Sequence, residues 1–293
     1  MIVRAHSRGL LLVAGATFFW SLSGAFTRAM PEVDPWTFNA WRGLGMGLVL
    51  LGWTLLHYGR GSAALLRQTR PAAVLISAGF FAVGSSLYIL AMGMASVAAV
   101  SCLGATSGLF AALMARLWLG ERTPAVFYLA TGVALAGVVL IAQSENSAST
   151  SGLAGTLVAL AVALCFAGQS VALRRYRDMG MEPAMIVGGL SVFAVVVATV
   201  GLAPVPRSTI AMLLLMGALQ LALPIVLYMR GAAHVPAVQM VLITMADAFL
   251  NPLWVWMVHG ERPASGVYLG GTLVLLAIAM PTLSGRRART SVG

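Results

Sequence analysis

Asp247 lies about halfway along the apolar run 236–258, and no other carboxylate falls in the interior of such a run. Met240, Thr244, Asp247 and Asn251 are spaced by 4, 3 and 4 residues, which places them on one helical face. A charge in hydrocarbon costs about 2.5–3.5 kcal/mol on insertion scales, so this side chain must face a bundle interior or water. Two tasks suit a carboxyl there: carrying a proton, or anchoring a substrate ammonium group. A protonated or hydrogen-bonded structural Asp is the competing reading.

Other polar faces lie on other apolar runs. Ser77, Phe81, Gly84, Ser85, Tyr88 and Met92 share a face of the run 71–93, and Gln220, Pro224 and Tyr228 share one of 208–229. Tyr offers an aromatic wall plus a hydroxyl, useful for a planar or apolar substrate, although it also anchors helices at membrane boundaries. Pro224 removes a helix hydrogen bond and frees a carbonyl, a mark of kinks and hinges beside cavities. Trp20, Ser23, Gly24 and Thr27 form a face of 9–29, with approximate mates Phe166, Gln169 and Ser170 on 153–173. Ser101, Gly104 and Gly108 permit close helix approach, so packing competes strongly with ligand contact there. The candidate substrate-binding set is Trp20, Ser23, Tyr88, Ser101, Gln169, Tyr228, Thr244, Asp247 and Asn251, with Gly84 and Pro224 as candidate hinges. Arg42 sits about 10 Å below the end of its helix, at about 1.5 Å per residue. It suits a substrate carboxylate, but a structural role is favoured. Glu121 and Glu261 read as turn residues that cap the following helix.

Enzymatic chemistry finds little support. The four His fall at or near run ends, and no H-E-x-x-H or paired intramembrane carboxylates occur. The two Cys, Cys102 and Cys165, lie inside apolar runs with no metal or disulfide spacing. All 18 cations are Arg, so no phosphate loop of the G-x-x-x-x-G-K-[ST] type exists. We expect no enzyme, no metal and no cofactor.

The elements that must position these residues follow from composition. The chain of 293 residues is 60% hydrophobic and 9% charged, whereas a soluble domain is about 45–50% apolar and about 25% charged. A span needs about 20 apolar residues. Ten such segments are predicted: 9–29, 36–57, 71–93, 97–118, 124–142, 153–173, 183–203, 208–229, 236–258 and 264–282. The runs are too long and lack the alternation that strands require. The first exceeds the about 7–15 residues of a signal h-region, so it reads as a retained helix. With the N-terminus inside, 14 Arg fall on inside segments and 3 on outside loops. This asymmetry puts both termini in the cytoplasm and explains the net charge of +10 without a nucleic-acid partner.

The chain also repeats itself. Residues 119–128 read LGERTPAVFY and residues 259–268 read HGERPASGVY, an offset of 140 that also aligns Tyr88 with Tyr228 and Gly84 with Pro224. Each half, 1–146 and 147–293, holds five spans. Five is odd, so the second half enters the membrane the opposite way round, the pattern of alternating-access carriers. The expected fold is all-α integral membrane: ten transmembrane helices in two inverted five-helix repeats around a central cavity.

The two Gly-Glu-Arg turns and the stretch Pro35-Trp36-Thr37-Phe38-Asn39-Ala40-Trp41-Arg42 resemble the drug/metabolite transporter superfamily, ten-helix (EamA-like) type. The second copy begins Glu182-Pro183 but has Leu190 where the Arg would fall. Within that superfamily the chain looks most like bacterial metabolite and amino-acid exporters, including the YddG-type aromatic amino-acid exporters. The resemblance implies that the first, third, fourth, sixth, eighth and ninth helices surround a cavity and that the fifth and tenth are peripheral.

The functional expectation is a secondary transporter of the bacterial cytoplasmic membrane that exports small metabolites, foremost aromatic or apolar amino acids. An aromatic and polar lining with one acid suits a small zwitterion better than a phosphate ester, which calls for two or more mid-depth cations. Its partners are the substrate, membrane lipid and candidate coupling protons; a monomer suffices. Nucleobases, lipophilic drugs and other neutral metabolites remain open as substrates, and a channel as the other class.

Overall fold

A computed structural model describes residues 2–30, 32–94, 100, 103–104, 106–121, 123–144, 153–260 and 265–290. Those residues are all-α and make ten helical spans. The first half comprises Ile2–Ser21 continued by Ser23–Arg28, then Pro35–Tyr58, Pro71–Met94, Ser107–Met114 extended by Ala115–Leu119, and Ala125–Ser144. The second comprises Leu153–Arg175, Glu182–Thr199, the joined segments Arg207–Met216, Gly217–Ala222 and Leu223–Ala232, then Ala237–Thr244 with Asp247–His259, and Ser265–Thr290. A short helix, Ser62–Gln68, bridges the second and third spans.

Local chemistry sets several boundaries. Asp34 caps the second span by accepting the Thr37 N–H at 2.8 Å, and Pro35 occupies its first turn, where a missing N–H costs nothing. Gly120 and Gly260 end the fourth and ninth spans in the left-handed region, at φ 69° and 73°, which an L side chain adopts only with strain. Their offset of 140 is that of the sequence repeat.

Large apolar side chains cover the outside. Leu11, Leu56 and Leu117 are 74%, 88% and 77% exposed, which only a hydrocarbon surrounding tolerates on this scale. Five of the described helices are individually long and apolar enough to cross a bilayer: Pro71–Ala91, Ala154–Arg175, Glu182–Thr199, Arg207–Ala232 and Ala237–His259.

Packing follows the repeat. The third span lies on the sixth and its mate, the eighth, lies on the first; the second pairs with the seventh and the fifth with the tenth. Small residues make the close crossings possible. A Cβ on Gly217 would collide with the Arg42 carbonyl, and one on Gly45 with the Leu214 carbonyl, so the second and eighth backbones touch directly. The fifth and tenth spans bind mainly each other at the periphery, as the resemblance implied.

Two expectations about span geometry need correction. The first span begins at Ile2 rather than residue 9 and breaks at Leu22. The ninth is not one continuous helix, because it breaks at Met245–Ala246. The fourth breaks at the equivalent place. Thr106 donates its N–H to Leu103 O at 3.0 Å and Ala246 donates to Ile243 O at 3.1 Å. Leu109 and Phe249 then restart the helices on Thr106 O and Ala246 O. Ser107 and Asp247 therefore open equivalent half-helices.

Candidate functional site

Polar side chains from the second, third and eighth spans converge on Arg42, and a backbone carbonyl of the first joins them. Arg42 donates from Nη1 to Gln220 Oε1 at 3.1 Å and from Nη2 to Asn39 Oδ1 at 3.2 Å. Asn39 Oδ1 also accepts the Ser85 hydroxyl at 2.8 Å, and Gln220 Nε2 donates to Trp20 O at 3.3 Å. Trp20 belongs to the last turn of Ile2–Ser21, whose carbonyls lack helical partners. The Gln220 side chain is presented by a widened π turn, Gly217–Ala222, just before Pro224. Proline lacks the N–H that Gln220 O would accept in a regular helix, and the π turn absorbs that defect.

Asp247 opens its half-helix, where the N-terminal dipole favours a carboxylate. Its Oδ1 is buried and has no hydrogen-bond partner among the described residues.

A second layer lies closer to the end of the bundle that carries both termini. Trp20 packs on Tyr228 at a centroid distance of 5.1 Å, and Phe166 completes the group at 6.3 and 6.4 Å from the two. Tyr228 is 1% exposed and its hydroxyl is 2.8 Å from Ser170 Oγ. Ser170 spends its single proton on Phe166 O at 2.9 Å, so Tyr228 donates to Ser170. Gln169 donates to Ser77 Oγ at 3.2 Å and to Met185 Sδ at 3.3 Å, while its Oε1 is buried without a partner among the described residues. On the far side of this layer, a cavity of about 350 Å³ opens at the terminal end, lined in part by Arg8, Arg177, Glu182, Arg230 and Met229.

The upper halves of the first and ninth spans are joined by side chains. Asn251 Nδ2 donates to Ser23 Oγ at 3.2 Å, Trp254 Nε1 donates to Ser21 Oγ at 2.7 Å, and the His259 ring lies 2.9 Å from Ala25 O.

The structure thus sorts the sequence candidates. Trp20, Tyr228 and Gln169 are buried or half-buried in the layer between Arg42 and the terminal end. Asp247 opens the second half of the ninth span, its Oδ1 buried. Tyr88 is 39% exposed while Tyr228 is sealed. Boundary anchoring is excluded for Tyr228 by its burial. Met240 and Thr244 are buried, and the Thr244 hydroxyl donates to Val241 O at 2.7 Å in its own helix. Gly84 allows the third span to approach the sixth, with Cys165 Cβ 3.0 Å from where a Cβ would stand. Ser101 lies outside the described residues.

Sequence reasoning undervalued the second span, which it left out of the central group although Asn39 and Arg42 come from it. The signal was present: Asn39 and Arg42 are one turn apart, with Ser85 and Gln220 on neighbouring polar faces. Glu121 is also corrected, from a helix cap to an ion pair with Arg174 Nε at 3.1 Å. Glu261 lies outside the described residues.

Ten helices in two repeated halves, inverted by their odd number and meeting at a polar centre, make a multi-pass membrane protein. The model of the EamA-like transporter family matches residues 7–143 and again 153–283, and the chain belongs to that family, within the drug/metabolite transporter superfamily. Members of that family transport rather than catalyse. One solved crystal structure is 20% identical, with a TM-score of 0.81 over 97% of this chain and 99% of that one; it bears on the fold alone. Among curated proteins, none matches the chain.

Proposed function

We propose that the protein is a secondary transporter of the bacterial cytoplasmic membrane that exports small zwitterions, foremost amino acids with aromatic or apolar side chains, by alternating access. Asp247 carries this reading. A carboxyl oxygen buried at mid-depth without a partner among the described residues needs either a proton or a cationic group. A substrate ammonium group or a coupling proton supplies it. Trp20, Tyr88 and Tyr228 provide aromatic surface in this reading, and Asn251, one turn beyond Asp247, ties the ninth span to the first through Ser23.

In the proposed orientation both termini are cytoplasmic, a reading that the Arg asymmetry supports. On that orientation the Trp20–Phe166–Tyr228 layer separates the centre from a cytoplasmic vestibule. Transport then requires this layer to part, with Gly84 and Pro224 as the hinges.

The test is a screen of the purified protein in liposomes against the common amino acids, with and without a proton gradient. Saturable movement of aromatic or branched amino acids supports the reading. Saturable movement of nucleobases or lipophilic cations, with none of amino acids, overturns it.

A further inference from the structure

We propose that Arg42 is the recognition site for a substrate carboxylate, which makes the transported class α-amino acids with a free carboxyl group rather than amines, amides or nucleobases. This inference rests on the transport reading above.

The argument begins with what holds the guanidinium. Both of its fixed partners, Gln220 Oε1 at 3.1 Å and Asn39 Oδ1 at 3.2 Å, are neutral amide oxygens. Its remaining neighbour of note is the Phe38 ring, 5.6 Å from Cζ. Among the described residues no carboxylate pairs with it, and its buried Nε–H has no hydrogen-bond partner. A guanidinium offers five N–H donors, so several are uncommitted. A structural Arg in a dry interior would be expected to neutralise its charge, because an isolated buried ion costs several kcal/mol.

The surroundings are nonetheless fixed. Asn39 is held by the Ser85 hydroxyl at 2.8 Å, and Gln220 is held by Trp20 O at 3.3 Å and presented by a π turn. The two amides orient the guanidinium without discharging it. That is the design of a preorganised anion site. A planar fork prefers a planar, monovalent anion, and a carboxylate fits it by two parallel bonds. One cation is too few for a phosphate.

Asp247 supplies the opposite charge. Its buried Oδ1 has no hydrogen-bond partner among the described residues. On this proposal a zwitterion sets its carboxylate on Arg42 and its ammonium group on Asp247, and each protein charge acquires the counter-ion it lacks.

The test measures competition in liposomes containing the full-length protein. Labelled phenylalanine efflux is inhibited by unlabelled phenylalanine and by phenylalaninamide, which keeps the ammonium group and ring but lacks the carboxylate. The expected wild-type preference for the acid is about tenfold or more, the scale of a charge-assisted hydrogen bond. Arg42→Gln is expected to reduce that ratio to near one, and Arg42→Lys to leave it intermediate. If Arg42→Gln does not fold, Gln220→Leu reads the same site, since loss of one anchor is expected to lower the ratio. An unchanged ratio in the variants, or a wild-type protein indifferent to the carboxylate, overturns the proposal while leaving amino-acid transport standing. A wild-type protein that moves no amino acid overturns both.

Discussion

Arg42 donates from Nη1 to Gln220 Oε1 at 3.1 Å, and no carboxylate among the described residues pairs with the guanidinium. A buried charge gains by meeting its opposite, because a low dielectric strengthens the attraction. Only neutral amides hold the cation, and the buried Asp247 Oδ1 has no hydrogen-bond partner among the described residues. On the reading proposed above, a zwitterion supplies both counter-ions.

Asp247→Asn removes the charge and the exchangeable proton while keeping the shape. Its expected effect is loss of any dependence of transport on a pH gradient, with the thermal unfolding temperature in detergent close to wild type. Uphill transport driven by a pH gradient at the wild-type rate in that variant would show that Asp247 carries no proton.

The Tyr228 ring and its hydroxyl separate cleanly. Tyr228→Phe loses one donated bond, while Ser170 keeps its bond to Phe166 O, so about 0.5–1.5 kcal/mol of stability is expected to go. Tyr228→Ala empties a fully buried site, a change of about 3–5 kcal/mol for large aromatics, and opens the layer toward the terminal-end cavity. Passive leak of a small impermeant dye is expected from the Ala variant and not from the Phe variant. Equal leak in both would show that the hydroxyl, not the ring, seals the layer.

Glycines at crossings differ from glycines on the surface. Gly217→Ala and Gly45→Ala push a methyl into a backbone carbonyl of the facing span, an overpacking worth roughly 1–3 kcal/mol. Gly52→Ala and Gly79→Ala meet nothing within 4 Å and are expected to be neutral or stabilising by up to about 1 kcal/mol. Unfolding temperatures of the four variants check the contrast.

Much of the fold was legible because lipid demands long apolar runs, and because the Gly120 and Gly260 turns repeat at a fixed offset. The helix breaks were not legible. Met245 and Ala246 are ordinary helix formers, and the break there has no Gly or Pro to announce it. Arg42 was visible, but its neutral surroundings depend on the π turn that presents Gln220, which no spacing rule encodes. Pro224 was the available clue, since a proline one turn downstream disturbs that carbonyl.

Arg174 joins three elements: it pairs with Glu121 at 3.1 Å and donates to Ala232 O at 2.7 Å. Glu121→Gln leaves the second bond intact and is expected to cost no more than about 1 kcal/mol. Arg174→Ala loses both and strands a carboxylate, so its unfolding temperature is expected to fall further. The reverse order would show that the backbone bond to Ala232 contributes nothing.

The central claim is that two inverted halves carry a small zwitterion by alternating exposure of one site. Counterflow of labelled phenylalanine in liposomes tests it most directly. The account expects labelled uptake to accelerate and overshoot when unlabelled phenylalanine is loaded on the far side. Flux that is unaffected by the far-side load, rising in proportion to concentration as through a channel, would contradict it.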